Sequence, residues 1–135
     1  MSNITQVIKQ EKYMTTLDRR VTASGVWQVL SGTGPFTLFA PTDLAFEKLG
    51  GITNANLLKP ENKLKLANLI NHHIVAGKIE FKDLKDGEKL KAISGKELSV
   101  QIKDGKVSVN GATIQQHDVK TSNGVIHSLD TVLKN

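Results

Sequence analysis

The stretch GPFTLFAPTDLAF, residues 34–46, decides how this chain folds. Residues 36–40 are apolar and rich in β-prone side chains, which is typical of a short buried strand. Pro41 ends that strand, and Thr42 or Asp43 can then cap a helix, because its side-chain oxygen accepts hydrogen bonds from the first free amides. The segment therefore predicts a buried strand that leads directly into a helix.

The residues before this stretch follow a helical period. Met14, Leu17 and Val21 recur at helical spacing, and residues 26–30 form a second apolar run. Both runs are expected to pack into the core. For Trp27, packing is favoured over the alternative of stacking against a ligand, since a lone tryptophan in an apolar run is usually buried.

A further helix is expected after the quoted stretch. It starts near Pro60, an allowed position in a first turn, and runs through Leu66, Leu69 and Ile70 towards His73. The first half of the chain is therefore predicted to be mainly helical.

From residue 90 onward the apolar period changes from helical to two. Residues 98–102 and 107–109 alternate apolar and polar side chains, and a tight turn at residues 104–105 separates them. This pattern predicts a β-hairpin.

Two Asn-Gly pairs, residues 110–111 and 123–124, predict further sharp reversals in which both residue types tolerate positive φ. Residues 125–129 and 132–133 are expected to close the chain with further strand. Helices first and antiparallel strands later indicate an α+β domain with helices packed on a β-sheet structure.

The composition fits one domain, residues 1–135, with one ordinary hydrophobic core. Without cysteine, the chain has no disulfide, thiolate metal site or cysteine nucleophile. The net charge of +5 comes from lysines mixed with acidic residues, while the arginines are only Arg19 and Arg20 and aromatic residues make up 4%. Nucleic-acid grooves concentrate basic residues with aromatics between them, so a nucleic-acid partner is not expected.

Membrane and targeting segments are not evident in the sequence. No run approaches the ~18 apolar residues that a membrane-spanning helix needs, so no membrane span is expected. Residues 1–11 also lack the apolar centre of a signal peptide. Either the protein stays inside the cell, or a leader was removed and Met1 comes from an expression vector.

Local signatures of catalysis are missing. The sequence contains no Gly-x-x-x-x-Gly-Lys, Gly-x-Gly-x-x-Gly, His-Glu-x-x-His or Gly-x-Ser-x-Gly motif. We therefore assign no catalytic residue, no cofactor and no metal. A hydrolase with a nonlocal site is an alternative, and it requires a cleft where His73 or His127 meets a carboxylate and a hydroxyl.

Four histidines are candidates for a different function: His72, His73, His117 and His127. On a strand, the adjacent His72 and His73 would point to opposite faces and would not share a metal. A buried histidine bonded to a backbone or hydroxyl partner is favoured over metal ligation. The alternative function is that of a small-ligand or metal-binding extracytoplasmic protein that uses surface histidines.

Asp118, followed by Val119, is a candidate recognition residue. The favoured interpretation is a plain surface aspartate. As a recognition residue it would present a carboxylate beside an apolar side chain. Such a pairing can engage a metal-dependent receptor site, because divalent cations readily take carboxylate oxygens.

Two segments resemble the paired signature boxes of the fasciclin domain family: residues 34–46 for the first box and residues 123–133 for the second. Residues 71–77 are similar to the central Tyr-His segment of that family, with His73 at the His position and His72 where Tyr is usual. The turn Val-Asn-Gly-Ala at residues 109–112 also matches, so the resemblance covers about residues 13–133.

The resemblance implies an α+β fold in which a wedge-like β-sandwich carries several helices. It also implies a noncatalytic function in cell adhesion, matrix attachment or cell-surface interaction. The expected partner is a protein or polysaccharide at a cell surface or in the matrix. We expect a monomer that is extracellular, periplasmic or surface-attached if a leader was removed.

The resemblance also suggests site residues. Some animal members use an Asp-Ile pair upstream of the second box in integrin binding, and Asp118 and Val119 occupy that place here. With His72, they are the candidate partner-binding residues. A structural polar network that holds the family boxes together is expected from five other residues: Thr42, Asp43, His73, Asn110 and His127.

Overall fold

The computed structural model describes residues 2–133, apart from the side chains of Ile52 and Asn54, and these residues form an α+β fold. The helices are α1 Ile4–Gln10, α2 Thr15–Ser24, α3 Trp27–Leu30, α4 Asp43–Glu47, α5 Gly51–Leu57 and α6 Lys63–Asn71. Short 3₁₀ turns lie at Lys12–Met14, Pro60–Asn62 and Phe81–Asp83. The strands are β1 Phe36–Pro41, β2 Ile74–Ala76, β3 Lys89–Lys91, β4 Glu97–Lys103, β5 Lys106–Val109, β6 Ala112–Thr113, β7 Val119–Thr121 and β8 Gly124–Leu129.

The strands form two four-stranded sheets, in the orders β2-β1-β8-β7 and β3-β4-β5-β6. At the centre of the first sheet β1 runs parallel to β8, with Phe36 opposite Gly124 and Pro41 opposite Leu129. The outer pairs of that sheet are antiparallel, as are all the pairs of the second sheet. The two predicted family boxes are therefore neighbours in space.

The fold has two hydrophobic cores instead of the single one expected, because successive residues of β1 point to opposite faces of the first sheet. Leu38 and Ala40 pack in a core with the helices. Phe39, between them, packs in a core shared with the second sheet, together with Leu98 and Val109. The order of layers is helices, first sheet, second sheet, which confirms the prediction of helices packed on a β-sandwich.

The strand-to-helix prediction for the quoted stretch is confirmed. Thr42 is the N-cap of α4, and its Oγ1 accepts a hydrogen bond from the Ala45 N–H at 3.4 Å. Asp43 has a different task, since its carboxylate accepts from Thr15 Oγ1 at 2.8 Å and from the Thr16 N–H at 2.7 Å. The capping side chain and its neighbour thus fix both the start of α4 and its position against α2.

Replacing Asp43 tests this tie. Asp43→Ala removes both acceptors, and we expect a loss of about 1.5–3 kcal/mol of unfolding free energy, the usual range for hydrogen bonds to a charged group. Asp43→Asn keeps one acceptor oxygen and serves as the control, with a smaller loss. Urea unfolding measures both, and equal stability of Asp43→Ala and the parent chain would contradict the assignment.

Trp27 departs from its predicted place in the core, because its side chain is 44% exposed. Val29 is exposed as well, whereas Val26 and Leu30 are buried. α3 is a single turn, and its inner face is formed by Leu30 together with Val26, the residue at its N-cap, so that Trp27 and Val29 remain exposed.

Asn123 and Gly124 form a reversal, as predicted, but neither adopts the expected positive φ. Gly124 already belongs to β8, and a Cβ built on it would lie 1.9 Å from the Phe36 backbone oxygen. Glycine is thus required for the close approach of β1 and β8 rather than for a left-handed backbone. At the other pair the prediction is confirmed, since Asn110 has φ 48°.

The Asn123 side chain is buried and joins three segments. Its Nδ2 donates to the carbonyl oxygens of Leu30, at 2.6 Å, and Gly32, at 2.8 Å. Its Oδ1 accepts from the Ile4 N–H at 3.0 Å. One asparagine therefore holds the start of α1 and the end of α3 against the β7–β8 turn.

Three other predictions about elements need correction. α1 and α5 were not predicted, and α6 begins at Lys63 because residues 60–62 form a 3₁₀ turn. Residues 132–133 are not strand. Their side chains are buried and pack into the two cores instead.

Candidate partner-binding site

Asp118 lies immediately before β7 with a left-handed backbone, φ 58°. Its Oδ1 accepts a hydrogen bond from the Phe81 N–H at 2.9 Å, and its Oδ2 lies 3.2 Å from Nδ1 of His117. Burial raises the pKa of this carboxyl, but the bonds from Phe81 and His117 outweigh that effect, so its pKa lies below the ordinary value. The carboxylate is therefore ionised at neutral pH, and its side chain is still 31% exposed.

His117 supports Asp118 from the side. Its ring stacks on that of Phe81, with the centroids 3.9 Å apart and the planes inclined by 16°. Phe81 belongs to the 3₁₀ turn Phe81–Asp83, so the stack joins this turn to the segment before β7. We call Phe81, His117 and Asp118 the acidic patch.

His127 anchors the acidic patch from below. The Asp118 N–H donates to its Nδ1 at 3.2 Å, so its other ring nitrogen, Nε2, carries the proton and donates to the Ile79 carbonyl oxygen at 2.8 Å. Burial lowers the pKa of His127, and the bond to Ile79 and the charge of Asp118 offset only part of this effect. The ring is neutral and both of its nitrogens are used.

His73 is neutral for the same reasons. Its Nε2 accepts from the Leu133 N–H at 2.9 Å, so Nδ1 carries the proton and donates to the Leu69 carbonyl oxygen at 2.8 Å. Complete burial lowers its pKa to about 4, although the bond to Leu69 acts in the opposite direction. This ring ties the end of α6 to the last described residue.

The other two candidate partner-binding residues expose less surface than expected. Val119 is half-buried against the helical core at the start of β7. His72 is buried, with its Nδ1 2.7 Å from Oγ of Ser94. A contact role for either side chain stays a prediction.

The five residues of the expected polar network lie in separate places. Thr42 and Asp43 bond within the helical layer, and His73 and His127 bond the backbone segments described above. Asn110 bonds within the second sheet, where its Oδ1 accepts from the Ser99 N–H at 2.7 Å. Each is a tie of its own, and a common role in holding the family boxes together stays a prediction.

His72, His73 and His127 are all buried and bonded to hydroxyl or backbone partners, which confirms the favoured interpretation. The alternative with surface histidines is wrong for these three and holds only for His117. Within residues 2–133 no three His, Asp or Glu side chains are grouped as a metal site requires. The lone pairs of His73 and His127 already accept backbone N–H groups, so neither ring is available as a base. The hydrolase hypothesis required a cleft where His73 or His127 meets a carboxylate and a hydroxyl, whereas both rings are buried and bonded to the backbone.

The family model of the fasciclin domain matches residues 12–135. The chain belongs to the fasciclin domain family. Protein sll1483 of Synechocystis sp. is 43% identical to this fasciclin domain over 130 residues, which cover 96% of this chain and 72% of that protein. Cell surface glycolipoprotein MPB83 of Mycobacterium bovis is 34% identical over 100 residues, which cover 74% of this chain and 44% of that protein.

A solved structure shows the same fold. It is described as a FAS1 domain pair from the insect cell adhesion molecule Fasciclin I. The TM-score is 0.87 at 18% identity, over 99% of this chain and 51% of that one. In the part of this fasciclin domain that the structure describes, no helix has the length and apolar character needed to cross a bilayer.

Sequence reasoning missed two surface features of this fasciclin domain. Phe81 was not recognised as the partner of His117, since a loop contact between distant residues leaves no periodic signal. A cleft of about 380 Å³ beside α4 was also missed, and its lining includes Tyr13, Leu44 and Gln116. Leu44 is 69% exposed. As an apolar residue that breaks the helical pattern of buried positions, it was the signal in the sequence that could have indicated this cleft.

Proposed function

We propose that this fasciclin domain is a noncatalytic interaction module that binds a protein or polysaccharide at a cell surface or in a matrix. The observation that carries the proposal is the Asp118 carboxylate, ionised and partly exposed on a rigid support. The ring nitrogens of His73 and His127, in contrast, already have backbone hydrogen-bond partners. A charged acceptor held on a rigid support suits recognition of a donor on a partner.

The acidic patch is well placed for contact. Asp118 leads into β7, which is an edge strand of the first sheet, so a partner can approach both the carboxylate and the free side of the strand. The oxygens of Asp118 can accept hydrogen bonds from a partner or complete the coordination of a divalent cation that the partner carries. We place Asp118 and Val119 at this contact. His72 precedes β2 at the opposite edge of the first sheet, so the contact role proposed for it is separate from this one.

The comparisons support a location outside the cytoplasm, since one relative is named a cell surface glycolipoprotein. We propose that the domain acts there as a monomer. Gel filtration with light scattering tests the oligomeric state, and a stable dimer would contradict it.

Replacing Asp118 tests the proposed contact. The purified domain is immobilised and its retention of cells, matrix proteins and polysaccharides is measured against an inert domain of equal charge. Asp118→Asn should weaken retention about tenfold, because a hydrogen bond to a charged acceptor is lost. Folding should persist, since the Asn side-chain oxygen can still accept from the Phe81 N–H.

Asp104→Asn is the matched control. Asp104 has nearly the same left-handed backbone, φ 53°, and lies in the exposed β4–β5 turn. The charge change is identical, so retention should be unaffected. No retention by the parent chain would overturn the proposed function, and equal retention by Asp118→Asn would place the contact elsewhere.

A further inference from the structure

A second cleft, of about 280 Å³, opens between α1, α2 and α3 beside the single tryptophan of the chain. Ile8 and Val21 are almost fully buried and form its apolar floor. Trp27 forms a wall and is 44% exposed. An indole ring left open to solvent next to an apolar floor is an available stacking surface.

The rim of this cleft is polar and electrically balanced. Thr5 and Lys9 line it from α1, and Asp18 and Thr22 line it from α2. On both helices the lining residues follow the spacing of one helix face. The rim carries one cation and one anion, although the chain as a whole has a net charge of +5.

We propose that this indole cleft binds a sugar ring of a neutral oligosaccharide or polysaccharide. The inference deepens the proposed function by naming the ligand class of one binding surface, and it rests on that function. Two residues of the rim, Thr5 and Lys9, precede residue 12, where the family match begins, so part of the cleft lies outside the matched segment.

A pyranose ring matches both the indole and the polar rim of the cleft. A sugar ring has a face of C–H groups, and these pack favourably against the electron-rich face of an indole. Its hydroxyls are donors and acceptors at once. Lys9 offers donors, Asp18 offers acceptors, and the Thr22 hydroxyl offers both. The Thr5 hydroxyl donates to Asn3 Oδ1 at 2.7 Å and can still accept.

Other ligand classes fit less well. A purely apolar ligand would bury the charges of Lys9 and Asp18 without partners, which is costly. A charged sugar would be attracted by one of these side chains and repelled by the other. The volume lies just below the ~300–1,000 Å³ of ordinary small-molecule sites, so a single ring fits while the rest of a sugar chain extends into solvent.

Because Trp27 is the only tryptophan, its fluorescence reports on the cleft directly. We expect a saturable change in its emission when the full chain is titrated with one or more of four neutral probes: cello-, malto-, manno- and galacto-oligosaccharides. Polygalacturonate and heparin are the charged probes. Their binding to the lysine-rich surface should vanish at high salt, whereas neutral binding should not change.

Two variants test the residues. Trp27→Ala removes the stacking surface and Asp18→Asn removes the charged acceptor, and each should weaken binding of the responsive sugar at least about tenfold by calorimetry. Both side chains are partly or largely exposed, so folding should persist. Leu64→Ala, at an 80% exposed site on α6, and Asp104→Asn are the matched controls and should bind as the parent chain does.

The outcomes separate this inference from the proposed function. If all four neutral probes leave emission and calorimetry unchanged, or if Trp27→Ala binds sugar as the parent does, the indole cleft is not a sugar site. Retention of cells or matrix by the same protein would then leave the proposed function standing. A third outcome is that the parent chain retains neither cells nor matrix, but shows a sugar response that is lost in Trp27→Ala. The indole cleft is then a sugar site, and the proposed function at a cell surface or in a matrix is contradicted.

Discussion

Gly124→Ala is expected to destabilise this fasciclin domain by at least about 4 kcal/mol, at the upper end of what single substitutions do. The new Cβ would lie 1.9 Å from the Phe36 backbone oxygen and 2.9 Å from its carbonyl carbon. These are main-chain atoms, so no side chain can rotate away. Either β1 and β8 separate, which breaks the central pair of the first sheet, or the chain does not fold.

Thermal unfolding measures the effect, and we expect the melting temperature to fall by more than about 10 °C. Gly51→Ala is the matched control. Gly51 is the first residue of α5, and a Cβ added there meets no atom within 4 Å. This control should be as stable as the parent or slightly more so, since alanine favours helix. A Gly124→Ala chain with an unchanged melting temperature would contradict the close approach of the two strands.

Acid is expected to remove about 3 kcal/mol of unfolding free energy between pH 7 and pH 4 through His73 alone. The folded pKa is about 4, below the ordinary value of 6.5 that applies to the unfolded chain. A depressed folded pKa contributes stability that is fully present above 6.5 and is lost as the pH falls towards 4. The main cause is complete burial, which disfavours the charged ring. A protonated Nε2 would also face the Leu133 N–H with a second donor.

His127 shifts in the same direction and adds to the loss. The pKa values of Asp43 and Asp118 are lowered from 3.8, so these carboxylates lose their contributions at still lower pH. Urea unfolding at several pH values, with NMR titration of the rings, measures the effect. His73→Gln should be less stable at pH 7 and should show a flatter pH dependence. Protonation of His73 near pH 6.5 in the folded chain would contradict the geometry.

Much of the fold could be predicted because its signals are local. The β-prone run that ends at Pro41, the capping Thr42 and the period-two hairpin residues are all readable along the sequence. The missed helix α1 also had a local signal, since Asn3 and Gln6 form a capping box. Its three apolar residues, Ile4, Val7 and Ile8, lie at helical spacing.

The errors arose where a residue type has more than one physical use. Asn123 and Gly124 looked like a positive-φ turn, but one is a buried hydrogen-bonding residue and the other leaves room for a neighbouring backbone. Trp27 looked like core because its run is apolar, yet a one-turn helix buries only one face.

The candidate site was less predictable than the fold. Asp118 could be named from its position before the second box, but its support by Phe81, His117 and His127 depends on contacts between distant segments. No sequence period encodes such contacts. The indole cleft was hidden for the same reason, since it requires α1 and α2 to lie side by side.

The parallel pairing of β1 with β8 also determines when the protein can finish folding. Within the domain, β1 is synthesised well before β8, its central partner. Pairings between such distant segments form slowly, because a long loop must close first. Until β8 has been made, the nascent domain therefore lacks the central strand pair of its first sheet. The helical layer and the second sheet can then pack on a complete first sheet only after β8 has joined β1.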